Sequence, residues 1–299
     1  MKIGAQLYTV RDFCKNLNDF SETLKKIADI GYTTVQVSGT CGYEADWLAE
    51  ELRKNALTCA LTHYSYDKII NETEKTVEDH KKFGCSIIGV GALPGLSADP
   101  AVLRQSYDKF VENARGPARK IHELGATFSY HNHNFEFLNK FEDGRPLFWH
   151  MAEDFAPEEL SFTLDTYWVK AGGYDVLEEI KRLRGRLPAV HYKDMLIDSE
   201  NHQLMYYIGG GNTFDFEKIT EAFIDEQKIK RAQQTARRTA EGDMAGRFAV
   251  VMADRRRRRD ERNARLWRLR SLELTERRAL LHRTQSFNPL PGAAVKGNR

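Results

Sequence analysis

A chain of 299 residues is long enough to bury one large α/β barrel or to divide into two ordinary domains. At 41% hydrophobic and 29% charged it has the balance of a water-soluble globular protein, and no apolar run approaches the roughly 20 residues that span a bilayer. The net charge of +2 conceals an asymmetry: residues 1–225 carry 25 Lys and Arg against 35 Asp and Glu, a net −10, while residues 226–299 carry 20 against 8, a net +12, with Arg supplying 17 of the 20.

The N-terminus MKIGAQLYTV holds one lysine and a short apolar stretch before Arg11-Asp12, which is not the pattern of a secretory signal. Residues 1–225 then alternate short β-rich runs with amphipathic stretches, the pattern of βαβ units. The first strand is predicted at Lys2–Leu7, followed by a helix at Asp19–Ile30 with Gly31 as its stop. A strand at Thr33–Val37, a helix at Ala45–Asn55, a strand at Thr58–Thr62, a helix at Glu72–Phe83 and a strand at Ser86–Val90 come next. A long helix covers Pro100–Leu124, and Gly116-Pro117 is expected to kink or divide it. Strands at Thr127–His131, Ser161–Asp165 and Ala189–Tyr192 complete the set, with helices at Val176–Leu183 and Phe216–Ile224. Cys14, Cys41, Cys59 and Cys85 are scattered, so neither a zinc knuckle nor a disulfide framework is indicated, and cytoplasm is the expected location.

Seven strand–helix units in succession predict a (β/α)8 TIM barrel whose eighth strand is missing or replaced. The competing doubly wound sheet would carry a glycine-rich phosphate loop after an early strand, and none is present. Gly209-Gly210-Gly211 follows the seventh strand, so it reads as a turn or a late phosphate-side loop.

Active sites of such barrels lie at the C-terminal ends of the strands. Those ends supply His63 (third), His131-Asn132-His133 (fifth), Asp165 (sixth), and His191 with Lys193-Asp194 (seventh). Imidazoles and carboxylates converging from neighbouring strands are what a divalent cation requires.

With these residues in place the chain resembles the sugar phosphate isomerase/epimerase group with the xylose-isomerase-like barrel, related also to endonuclease IV. The resemblance rests on KIGAQLYTV (Lys2–Val10), VQVSG (Val35–Gly39), YHNHNFEF (Tyr130–Phe137), LDTYWVKAG (Leu164–Gly172), VHYKDM (Val190–Met195) and GGGNTFDF (Gly209–Phe216), which occur in family order. It implies a divalent metal (Mn, Mg, Co or Zn) held by an acidic residue from strand five, Asp from six, His from seven and Glu from eight. Asp165 and His191 match the second and third of these. On strand five the sequence departs, offering His131, with Glu136 as a carboxylate that reaches back or forms a salt bridge at the barrel mouth. Lys193 matches the family's substrate-facing lysine, and His63 would contact substrate or move a proton. Asn132, His133 and Trp168 would border the substrate. The implied reaction is proton transfer beside a carbonyl through an enediolate on a sugar or sugar phosphate. Aldose–ketose isomerisation, epimerisation and keto-sugar dehydration share that first step. An endonuclease IV-like nuclease and a catalytically impaired barrel are the further alternatives. No membrane partner is expected, nucleic acid is disfavoured, and a homo-oligomer is compatible with the group.

The tail after residue 225 does not continue this pattern. Where a family chain gives a short strand ending in Glu, this one gives Glu226-Gln227-Lys228 and an Arg-rich stretch that includes Arg255–Arg259. Three readings compete: a basic extension for nucleic acid or acidic surfaces, a frameshift or recombination scar, and a substitute eighth strand at Phe248–Met252 with Asp254 near the missing ligand. The abrupt change from Lys to Arg favours the scar, leaving residues 1–225 as the barrel and 226–299 as an atypical tail.

Overall fold

Seven short strands pair in parallel in the order of the chain. The computed structural model describes residues 2–226 apart from 98 and 212, together with 228. The strands are β1 (Ala5–Gln6), β2 (Thr34–Val37), β3 (Thr58–His63), β4 (Ile87–Val90), β5 (Thr127–His131), β6 (Ser161–Asp165) and β7 (Ala189–His191). Parallel strands covered on both faces read as near-continuous apolar runs, and every residue of β2 and β6 is buried. Because all seven run the same way, their C-terminal residues share one rim, and the β6–β7 register sets Asp165 opposite His191.

The connecting helices are α1 (Leu17–Ile30), α2 (Ala45–Lys54), α3 (Tyr66–Asn71), α4 (Thr73–Lys82), α5 (Pro100–Glu123), α6 (Phe135–Leu138), α7 (Leu147–Asp154), α8 (Thr166–Ala171) and α9 (Val176–Arg182), with residues 216–226 helical at the end of the described chain. Helix α1 shows how local sequence makes them. Asn16 accepts the Asp19 N–H at 3.0 Å as an N-cap, and Phe20, Thr23, Leu24 and Ile27 bury one face. Gly31 then ends the helix at φ 107°, a conformation that costs glycine little. Two apolar clusters hold these layers together: Leu7, Phe20, Leu24, Val35 and Leu48 under β1–β3, and a larger one around Phe110, Phe128, Tyr130, Phe148 and Phe162 under β4–β7.

Several elements differ from the sequence expectation. The first strand shrinks to two residues, because Leu7–Phe13 turns into a 3-10 helix at the rim. Helix α5 runs undivided through Pro117: the carbonyl that Pro117 cannot satisfy belongs to exposed Asn113, where water serves it, while Ala114 and Ala118 keep the packed face continuous. After β7 the chain forms an unforeseen antiparallel hairpin, β8 (Asp194–Ile197) with β9 (Gln203–Tyr206).

Among the described residues no eighth strand pairs with β1 or β7, so the sheet is a barrel short of its last strand. Phe248–Met252, Asp254 and Arg255–Arg259 lie outside the described residues. Also among the described residues, no helix is long and apolar enough to cross a membrane.

Glu226 ties the final helix to the barrel. Its buried carboxylate accepts the N–H of Gly185 at 2.8 Å and of Leu187 at 3.3 Å, bracing the turn that feeds β7. Glu226→Ala removes this acceptor and is expected to destabilise the fold by about 1–3 kcal/mol, read as a lower denaturant midpoint with an unchanged slope.

Candidate active site

Asp165 ends β6 with its side chain fully buried. Its two oxygens have different work. Oδ1 accepts the Trp168 N–H at 3.2 Å and so caps α8, while the backbone N–H of Asp165 donates to Asn132 Oδ1 at 2.9 Å. Held at both ends, the carboxylate turns Oδ2 into the barrel mouth. There His131 Nε2 lies 3.3 Å away, Lys193 Nζ 2.7 Å and His191 Nδ1 3.6 Å. Burial opposes the Asp165 charge, but His131, His191 and the Lys193 ammonium beside it hold its carboxyl well below the usual range.

Burial favours the neutral form of the imidazoles around it. Burial, the leading cause for each, lowers His191 and takes His131 and His133 down to about 4. His63 is pushed well below the ordinary range, first by burial and then by the neighbouring His131 and His191. The His63 ring centroid is 5.0 Å from that of His131 and 5.8 Å from that of His191. Its Nδ1 meets Ser38 Oγ at 3.1 Å, and its Nε2 is buried with no hydrogen-bond partner among the described residues. Two glycines make room for this ring: a Cβ on Gly91 would stand 3.1 Å from His63 Nδ1, and one on Gly89 would stand 3.3 Å from its Cδ2.

His131, Asp165 and His191 bring three ligand atoms within 4.8 Å of one another, all buried. Two neutral imidazoles and one ionised carboxylate form the donor set of a borderline divalent cation, with metal–ligand bonds of about 2.0–2.2 Å. The ring of His131 is already oriented for this role, since its Nδ1 lies 3.2 Å from the Gly91 carbonyl. With its proton on Nδ1, given to the Gly91 carbonyl, the Nε2 lone pair would be available to an ion; Asp165 Oδ2, 3.3 Å from Nε2, is an acceptor too. On chemistry and spacing, the residues present fit a divalent cation.

The comparisons with known proteins bear on family and fold. Residues 24–229 match the family described as the xylose isomerase-like TIM barrel. The chain belongs to that family. Inosose dehydratase of Mesomycoplasma hyopneumoniae (strain 7448) is 22% identical over 192 residues, 59% of this chain and 62% of the relative, so the match spans less than two thirds of the curated relative's length. Among solved structures, a sugar phosphate isomerase/epimerase from Parabacteroides distasonis superposes with a TM-score of 0.59 at 20% identity, covering 77% of this chain and 88% of that one. The IolI protein, solved with a bound zinc atom, gives 0.52 at 16% identity, covering 77% and 85%. At these identities the structural likeness is one of fold.

Within this xylose isomerase-like barrel, the residues expected from sequence separate into two groups. His63, His131, Asp165, His191 and Lys193 converge. Trp168 stands at the rim, its ring 5.3 Å from that of His133 and 5.9 Å from Lys193 Nζ. Asn132, fully buried, braces Asp165 through Oδ1. Glu136 points elsewhere: Oε1 accepts from Tyr130 Oη at 2.7 Å and Oε2 from the His133 N–H at 2.8 Å, beneath the loop after β5. Gly209-Gly210-Gly211 wraps the barrel's own anion, since Asp194 Oδ2 accepts the N–H of Gly209 at 2.9 Å and of Gly211 at 3.1 Å. Unforeseen was Thr166, whose hydroxyl donates to the Lys193 carbonyl at 2.7 Å and locks the end of β6 to that of β7. Gln6 and Gln36, which also reach the centre, were missed as well; an amide inside an apolar strand was the available signal.

Burial raises Glu136 to about 7 from an ordinary 4.5, despite the Tyr130 and His133 hydrogen bonds that oppose the shift. Between those values the folded state holds a proton that the unfolded state has released, so rising pH costs stability, on the order of 3 kcal/mol across the window. Glu136→Gln removes this titration while keeping one acceptor and one donor. The stability of the wild type relative to Glu136→Gln, measured by denaturant unfolding, is therefore expected to fall from pH 4.5 to 7 and to level off above.

Proposed function

We propose that this protein is a divalent-cation-dependent sugar or sugar phosphate isomerase or epimerase that moves a proton beside a carbonyl through an enediolate. The observation that carries this reading is the convergence of His131, Asp165 and His191 on one buried point, with His63 and Lys193 turned to the same point. His131, Asp165 and His191 would hold the ion, of which zinc, manganese, magnesium and cobalt are all compatible with the donors. When bound there, such an ion supplies Lewis-acid polarisation of adjacent sugar oxygens.

The chain's own groups do the rest. His63 is neutral, buried and unpartnered at Nε2 among the described residues, so that atom is the acceptor for the proton beside the carbonyl. The Ser38 hydroxyl steadies its other nitrogen. Lys193 brings a positive charge to the oxygen on which negative charge develops. Trp168 and His133 present ring faces at the mouth against which a sugar ring can lie, and Asn132 acts by holding Asp165 in place.

Keto-sugar dehydration is the second reading, favoured by the inosose dehydratase relatives. It begins with the same proton removal and then expels a β-hydroxyl as water, so His63 would serve both. An endonuclease IV-like activity draws on fold alone. Four free cysteines support a cytoplasmic location, and a homo-oligomer belongs to the same proposal. The same proposal takes residues 1–225 as the barrel and 226–299 as an atypical tail, and a shortened chain has to retain Glu226.

Incubation with ketoses, aldoses and keto-inositols in D2O, with manganese or zinc, tests the reading. Expected is deuterium at the carbon beside the carbonyl, with product mass distinguishing isomerisation from loss of water. His63→Gln should slow exchange by about 10²–10⁴-fold with metal content unchanged, while Asp165→Asn should lose both. Purified protein that takes up no divalent cation and exchanges no deuterium with any of these sugars would sink it.

A further inference from the structure

His191 is gripped at both ring nitrogens by glutamines from the opposite side of the sheet. Gln36 of β2 brings Oε1 to 2.5 Å from His191 Nε2, across 155 residues of sequence. Gln6 of β1 sets its amide nitrogen 3.5 Å from His191 Nδ1, across 185 residues. Gln36 is 5% exposed, in a strand whose other residues are also buried, so its amide is not there for solvent.

An amide oxygen only accepts a hydrogen bond and an amide NH2 only donates one. Gln36 Oε1, at 2.5 Å, therefore specifies the proton on Nε2 and leaves the lone pair on Nδ1, which the Gln6 amide faces at a longer 3.5 Å. The reverse tautomer would need both amides to turn over. Nδ1 is also the nitrogen that faces Asp165 Oδ2, and the 3.6 Å between them is too long to require a shared proton. At His131 the acceptor facing Nδ1 is the Gly91 carbonyl, 3.2 Å away, while Nε2 lies 3.3 Å from Asp165 Oδ2.

We infer that Gln36, assisted by Gln6, is a positioning residue that holds His191 as its Nε2–H tautomer and so turns the Nδ1 lone pair toward the His131–Asp165 centre. A backbone carbonyl does this for one ligand and a side-chain amide for the other, so the second can be removed by substitution while the first cannot. The consequence for metal affinity rests on the reading in the preceding subsection; the tautomer itself does not.

The test is 15N NMR of the histidine rings in metal-free protein, with His191→Asn used to assign the signal, followed by zinc titration. Wild type is expected to show His191 protonated on Nε2. Gln36→Leu, similar in size but unable to accept, should redistribute that proton and weaken zinc binding about 10–100-fold. Gln36→Glu keeps an acceptor and should restore the Nε2–H signal, which separates the hydrogen bond from simple packing. A wild-type His191 protonated on Nδ1 overturns the inference without recourse to any variant. So does a folded Gln36→Leu protein whose tautomer and zinc affinity match the wild type. Wild type that shows the Nε2–H form yet takes up no zinc supports the glutamine clamp and overturns the metal reading instead.

Discussion

An ionised carboxylate with no exposed surface is costly unless its charge is compensated, and the mouth of this barrel is arranged around that requirement at Asp165. One oxygen is consumed by the first turn of α8, which fixes the rotamer. The other gathers His131, His191 and Lys193 from two further strand ends. Because each partner is anchored in turn, by Gly91, by the glutamines and by Thr166, the cluster is a network with little slack. Displacing Asp165 would therefore disturb β5, α8 and β7 together.

The same condition explains the polar residues that surround the centre without entering it. Asn132 sits at the end of β5 because the Asp165 backbone N–H needs an acceptor there. Asp194 follows Lys193 because the glycine loop beyond the hairpin leaves N–H groups that need an anion. Glu136 holds the β5 loop against Tyr130 and pays for it with a raised pKa. Each reads in isolation as a ligand or a substrate contact, and each also satisfies a neighbouring backbone or side-chain group.

Neutral imidazoles at the centre follow from burial, and that neutrality gives the site its chemistry. A ring held without charge keeps a lone pair, which under the proposed function serves an ion at His131 and His191 and a substrate proton at His63. The open Nε2 of His63, in space cleared by Gly89 and Gly91, distinguishes it from His80, a fully buried histidine whose two nitrogens are taken by Thr62 and the Thr76 carbonyl.

By itself the sequence determined the seven parallel strands and the rim at which their polar ends meet, because a strand buried on both faces must be apolar until it reaches the mouth. His63, His131, Asp165, His191 and Lys193 were legible for that reason, as polar breaks at the ends of apolar runs. The hairpin after β7 was not, since β9 is exposed throughout and β8 is buried only at Asp194 and Met195, too little to make a pattern. Tertiary structure alone decided which of the polar residues face one another. It turned Glu136 under a loop, made Asn132 a brace, and brought Gln6 and Gln36 across the sheet to His191. Those contacts join residues more than 150 positions apart, and no local periodicity records a partner at that distance.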